Sequence, residues 1–124
     1  MYQGICELKL YADIPYSSHP LQTLDLYIPT LYDDTSNKLP TPIIILIHGG
    51  DPVSSDKKYL EPLGKSIASS TNFAVALINY RLSNTPEIKY PDHINDVATA
   101  ISWIHFNSDK YSYRSDRMYL VYLD

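Results

Sequence analysis

The segment Ile43-Ile44-Ile45-Leu46-Ile47 is β-branched at nearly every position and apolar on both of the faces a strand would present. Such a strand suits a site covered on both sides, as in parallel sheets flanked by helices. Phe73-Ala74-Val75-Ala76-Leu77-Ile78 repeats the pattern, and Met118 to Leu123 gives a third run, wetter because it holds two tyrosines. The intervals read as helices. After Ser55 and Asp56, either of which can cap a helix N-terminus, Leu60, Leu63 and Ile67 recur at spacings of three and four. After Pro91 and Asp92, Ile94, Val97, Ile101 and Ile104 recur at three, four and three, and the run ends near Asn107.

Two shorter segments precede these. Leu8, Leu10 and Ala12 alternate with polar or amphipathic neighbours, as do the residues of Leu24-Asp25-Leu26-Tyr27-Ile28 before Pro29 ends the run. Both read as half-buried, antiparallel-looking strands. Asp13 to Gln22, rich in Pro and Ser, reads as a turn, and Thr30 to Pro42 reads as a solvated loop around Asp33-Asp34-Thr35-Ser36-Asn37. The predicted class is α/β: an open, mostly parallel sheet whose right-handed crossovers put helices on both faces. No repeat, low-complexity segment or domain boundary interrupts the 124 residues, which are expected to form one domain at most.

Composition narrows the function classes. A net charge of −4 with the charges scattered gives no electrostatic footprint for nucleic acid or for an anionic membrane. The longest purely aliphatic run, Ile43 to Ile47, is far short of the roughly 20 residues that span a bilayer. The first residues, MYQGICELKL, lack the basic leader and apolar core of a secretory signal, so a cytoplasmic location is expected. Cys6 is the single cysteine and cannot close an intrachain disulfide; with no basic partner close in sequence it reads as a structural or incidental thiol. His19, His93 and His105 have no spacing that would gather them around zinc, and no metal or cofactor is expected.

In open α/β sheets, ligands sit outside the carboxyl ends of the parallel strands, so the residues directly after each strand carry the chemistry. After the first buried strand come His48-Gly49-Gly50-Asp51. Adjacent glycines let the backbone turn sharply and let a substrate approach with no Cβ in the way, leaving amide N–H groups to face a developing negative charge. The plainer alternative is a strand-terminal turn with a hydrogen-bonded histidine.

The order of short motifs along the chain resembles the esterase and arylformamidase branch of the α/β-hydrolases, the kynurenine-formamidase-like or BD-FAE-like group. TLDLYIP over residues 23–29 matches the group's LDLYxP opening, and IIILIHGGDP matches its aliphatic strand running into HGGxW. Asp56-Lys57 and Leu60-Glu61-Pro62-Leu63-Gly64 match the lead into the first helix, and Asn79-Tyr80-Arg81-Leu82 matches NYRL. Pro86-Glu87, Tyr90-Pro91, Asp96, Trp103 and Asp116-Arg117-Met118-Tyr119-Leu120 continue the series. The resemblance implies an oxyanion hole built from the amides of Gly49, Gly50 and Asp51, with His48, Tyr80 and Arg81 ordering loops near the site. Asp96 reads as a loop-anchoring acceptor facing away from its helix's apolar stripe, and Trp103 as packing.

The same resemblance implies a Ser-Asp-His triad, with the serine on a Gly-x-Ser-x-Gly elbow directly after the third buried strand. Here that strand is followed by Tyr122-Leu123-Asp124. Asp124 falls at the nucleophile position without the elbow's small residue or following helix, so no residue of this chain is assigned as catalytic. Asp51 and Pro52 also stand where the group has a small residue and tryptophan; a carboxylate opposes an oxyanion, and Pro52 has no N–H. The chain is therefore expected to be the N-terminal part of a single truncated α/β-hydrolase domain, 1–124, ending before the elbow and inactive alone. The substrate implied for the intact protein is a small ester or amide. The alternatives are a non-catalytic interaction module that pairs its open edge with another chain, and a degenerate fragment without a stable fold.

Overall fold

A computed structural model of the chain describes residues 5–49, 56–81 and 92–123. Gly50, Asp51, Pro52, the Pro86-Glu87 and Tyr90-Pro91 matches, Asp124 and the side chain of Cys6 lie outside the described residues. In chain order the elements are β1 (Ile5–Pro15), β2 (Thr23–Tyr32), β3 (Lys38–Leu39), β4 (Thr41–Ile47), a 3-10 turn (Lys57–Leu60), α1 (Glu61–Ser70), β5 (Ala74–Ile78), α2 (Asp92–Phe106), α3 (Ser108–Tyr111) and β6 (Tyr113–Tyr122).

The sheet runs β1-β2-β5-β4-β6, with β3 attached to β2. β1, β2 and β5 pair antiparallel, whereas β5, β4 and β6 are parallel, Ile43 standing between Ala74 on one side and Met118 on the other. This is the mixed, mostly parallel α/β sheet that the three apolar runs imply. Alternation sends Ile43, Ile45 and Ile47 to one face, beneath Val97, Ala100 and Ile104 of α2. It sends Leu46, Val75 and Leu77 to the other, beneath Ala68 of α1. The apolar run of β4 is continuous because each of its faces has its own helix.

Three local readings of the strands and loops are corrected. β2 does not stop at Pro29 but continues to Tyr32. Pro29 lies between Tyr27, the last residue paired with β5, and Leu31, the first paired with β3, so on that side no neighbouring strand requires an N–H from it. The span from Thr30 to Pro42 is accordingly the end of β2, the short β3 and the start of β4. Only the Asp33 turn inside it is a loop; there Asp33 Oδ1 accepts from the Thr35 and Asn37 amides. The supposed turn from Asp13 likewise begins with strand, because β1 runs to Pro15 past a register shift near Asp13, whose φ is 55°.

The helical stripes are rotated from the spacing of the large residues. On α1, Leu63 is exposed and the buried positions are Gly64 and Ala68. Close approach to the sheet explains this, since a Cβ on Gly64 would lie 3.1 Å from Leu77 Cδ2 and 3.5 Å from Val75 Cγ1. Gly64→Val places branched carbons in that gap and is expected to cost about 1–3 kcal/mol, read as a lower urea midpoint with unchanged slope. On α2, Ile94 is exposed, and Asp96 is buried rather than facing away from the core. Trp103, also on α2, packs against the core, as read from the sequence.

Among the described residues β6 pairs with β4 alone, and Tyr119, Leu120, Val121 and Tyr122 of this edge strand are exposed. No helix among them is long and apolar enough to cross a membrane.

Candidate active site

The carboxyl ends of β4 and β5 lie side by side, Ile47 opposite Ile78, so the segments leaving both strands meet at one edge of the sheet. His48, which follows β4, is 4% exposed. Its ring stacks on Tyr80, with centroids 4.5 Å apart and planes 9° from parallel. His48 Nδ1 sits 2.9 Å from the Gly49 carbonyl, which can only accept, so Nδ1 carries the hydrogen. The His48 Nε2 is buried without a hydrogen-bond partner among the described residues.

The Tyr80 hydroxyl lies 2.9 Å from the His48 carbonyl and 3.0 Å from the Gly49 carbonyl, so its single hydrogen is shared between two consecutive peptide oxygens. Burial and then the neighbouring Tyr122 push the Tyr80 phenol above its ordinary value, so it remains a donor at any physiological pH. In a planar trans peptide the N–H points opposite to the C=O. Holding the His48 carbonyl against Tyr80 therefore turns the Gly49 amide to the other side.

Flanking residues brace this arrangement. The Asn79 N–H donates to the Thr23 carbonyl at 2.9 Å, and the Asn79 carbonyl accepts from the Tyr16 hydroxyl at 2.5 Å. Asn79 Oδ1 accepts from the Lys57 amide at 2.7 Å, and its Nδ2 donates to Asp56 at 3.1 Å. Arg81 reaches α2, where Asp96 accepts from its backbone N–H (2.8 Å), Nε (3.0 Å) and Nη2 (2.8 Å), and also from Gln22 Nε2 (2.8 Å). Burial alone would raise the Asp96 carboxyl; these donors outweigh it and hold the group below the usual carboxylate range.

A buried ammonium completes the surroundings. Lys57 Nζ, on a side chain 8% exposed, lies 2.7 Å from Asp13 and 3.0 Å from Asp25. Burial opposes its charge, yet the two carboxylates prevail and raise it above the ordinary lysine value.

The structure thus brings His48, Gly49 and Tyr80 together and holds Arg81 beside them through Asp96. Gly50 and Asp51 lie outside the described residues. Asn79 and Lys57 entered the sequence reading only as parts of motifs. One signal pointed to Lys57: Asp25 is the single charge inside Leu24 to Ile28, and a carboxylate in a strand with neighbours on both sides requires a cationic partner. His19, His93 and His105 form no metal-holding group with other His, Cys, Asp or Glu among the described residues.

The chain is 37% identical over 97 residues to a kynurenine formamidase of Meyerozyma guilliermondii, covering 76% of this chain and 33% of that protein. It is 31% identical over 108 residues to a probable isoprenylcysteine alpha-carbonyl methylesterase of Arabidopsis thaliana, covering 87% of this chain and 24% of that protein. The chain therefore spans a quarter to a third of the length of these relatives. Among solved structures, esterase B of Lactobacillus rhamnosis superposes on 97% of the chain and 36% of its own, with a TM-score of 0.77 and 22% identity, a likeness of fold. A truncated carbohydrate esterase from gut microbiota covers 92% of the chain with a TM-score of 0.71 and 25% identity. The BD-FAE family model matches residues 24–122, from the start of β2 to the end of β6. With the family's span covering four-fifths of the sequence and the esterase fold beneath it, the chain belongs to the BD-FAE family of α/β-hydrolases.

Proposed function

We propose that this chain is the N-terminal part of an α/β-hydrolase domain whose complete form hydrolyses a small ester or amide through a Ser-Asp-His triad. The supporting observation is the pairing of the His48 and Gly49 carbonyls with the Tyr80 hydroxyl, which turns the Gly49 N–H away from Tyr80 at the carboxyl end of β4. In this reading the Gly49, Gly50 and Asp51 amides receive the oxyanion as a serine hydroxyl adds to the acyl carbon. The histidine takes the serine proton and passes it to the leaving group, and water then releases the acyl-enzyme. Residues 1–124 supply the oxyanion side of that machinery but not nucleophile, acid or base, so the chain by itself does not turn over. Leu123 N–H bonds the Ile47 carbonyl at 2.9 Å, so Leu123, directly after β6, lies beside the β4 exit that leads into His48.

The names of the relatives support an ester or amide as the substrate class and leave the acyl group open. p-Nitrophenyl acetate is the first probe. The 124-residue chain is expected to match its His48→Ala control, and the product of the transcript read past the Asp124 codon is expected to turn over. Activity of the chain above that control would overturn its assignment as inactive; a clean stop after Asp124 would overturn the extended hydrolase. A second reading, a non-catalytic module that pairs β6 with another chain, has the exposed Tyr119 to Tyr122 edge in its favour. It requires sedimentation as a dimer or larger species at micromolar concentration.

A further inference from the structure

The connection from β4 to the 3-10 turn leaves the sheet at His48-Gly49 and returns at Asp56-Lys57, with six residues, 50–55, between. Both ends are bonded to two consecutive residues after β5. At the outgoing end, the Tyr80 hydroxyl meets the His48 and Gly49 carbonyls, and its ring stacks on His48. At the returning end, Asn79 Oδ1 accepts from the Lys57 amide and Nδ2 donates to Asp56. Asn79 and Arg81 are themselves fixed through main-chain bonds to Thr23, Tyr16 and Asp96.

We propose that Asn79 and Tyr80 form a two-residue clamp that holds His48-Gly49 and Asp56-Lys57 in one arrangement, so that the Gly49 N–H stays aimed where the oxyanion forms. Its catalytic consequence rests on the hydrolase reading above; the mechanical coupling of the two ends does not. Gly49 carries no side chain to restrict its backbone, and a donor contributes to an oxyanion hole only when its direction is set in advance. Asn79 and Tyr80 are consecutive, so a shift at one of them moves the peptide that positions the other. Release of either contact therefore disturbs both, so the second release adds little.

The test compares Tyr80→Phe, Asn79→Ala and the double variant. Tyr80→Phe keeps the aromatic stack and removes only the hydroxyl, so it stands as the readable variant if Asn79→Ala folds poorly. In the full polypeptide encoded by the transcript, each single change is expected to lower kcat for p-nitrophenyl acetate about tenfold to a hundredfold with KM within about twofold. The double variant is expected to fall no more than about threefold below the worse single. Losses that multiply, or that divide equally between kcat and KM, would overturn the clamp.

Amide hydrogen exchange on the 124-residue chain reads the coupling without activity. Tyr80→Phe is expected to speed exchange of the Lys57 N–H, which is bonded to Asn79, while the β4 and β5 amides keep their rates. An unchanged Lys57 rate would overturn the proposal. Should the wild-type polypeptide show no turnover, the hydrolase reading fails and the exchange rate alone decides whether the clamp exists.

Discussion

Replacing Asp96 with alanine is expected to destabilise the fold by about 3 kcal/mol at neutral pH, seen as a lower urea midpoint with an unchanged slope. The carboxylate is 1% exposed and receives only donors: the Arg81 backbone and guanidinium N–H groups and Gln22 Nε2. Its removal leaves the part-buried Arg81 N–H and the Gln22 amide without acceptors and leaves the Arg81 cation with Asp92, 3.9 Å away, in place of its close counter-charge. The Arg81 side chain is 26% exposed and can reach water, which places the cost near the lower end of the range for broken buried pairs. Asp96→Asn is expected to recover little, with a penalty of about 2 kcal/mol, because one of the two accepting oxygens becomes an NH2 facing donors.

The same site fixes an acid dependence. The folded Asp96 carboxyl lies below its ordinary value, so between the folded and unfolded values the unfolded chain binds more protons. The stability it contributes is complete above about pH 4 and falls as pH drops through the folded value. Asp96→Asn should flatten that part of the acid limb and leave the neutral plateau, already lowered, without slope from this group. A wild-type and Asp96→Asn pair with parallel acid limbs would remove Asp96 from the account.

The architecture was legible because it follows from period and composition. β4 and β5 declare themselves by apolar residues on both faces, and α2 by its spacing, since burial on two sides leaves no room for a polar position. Pro29 misled because its cost depends on whether a neighbouring strand needs its N–H, and that is a property of sheet order, not of sequence. Leu63 misled for a related reason: α1 approaches closely enough to require Gly64 and Ala68, so the larger residue turns outward; on α2 the buried positions are Asp96, Val97, Ala100 and Ile104, which leaves Ile94 outside. At the site, His48 and Gly49 were found by their position directly after a strand, where the fold concentrates chemistry, and Tyr80 by the match of Asn79-Tyr80-Arg81-Leu82 to the family's NYRL. Asp96 was read as a loop-anchoring acceptor, as its bonds to Arg81 bear out, but on the wrong side of its helix, because its burial cannot be seen until Arg81 and Gln22, 15 and 74 residues away, are brought to it.

Lys57→Met is expected to cost about 3–5 kcal/mol, the largest effect of any single change considered. Methionine preserves length and apolar bulk, so the loss is electrostatic: Asp25, with a side chain 5% exposed, keeps its charge in the core with only the Asp13 N–H, 2.8 Å away, to meet it. Asp13 contributes little, because its side chain is 75% exposed and water screens the pair; Asp13→Asn should cost under about 1 kcal/mol. The decisive variant is therefore the combination Lys57→Met with Asp25→Asn, which removes both charges while the amide oxygen can still accept from Asp13. It is expected to recover most of the loss, giving a coupling energy of at least about 2 kcal/mol in the double-mutant cycle. Since the folded lysine value lies above the unfolded one, the stability of the pair is complete below about pH 10 and is lost as pH rises through the folded value. The single variant should therefore lie closest to wild type at the alkaline end of a pH series. A penalty that persists unchanged in the double variant would mean that Lys57 serves the fold by packing its stem and not by its charge.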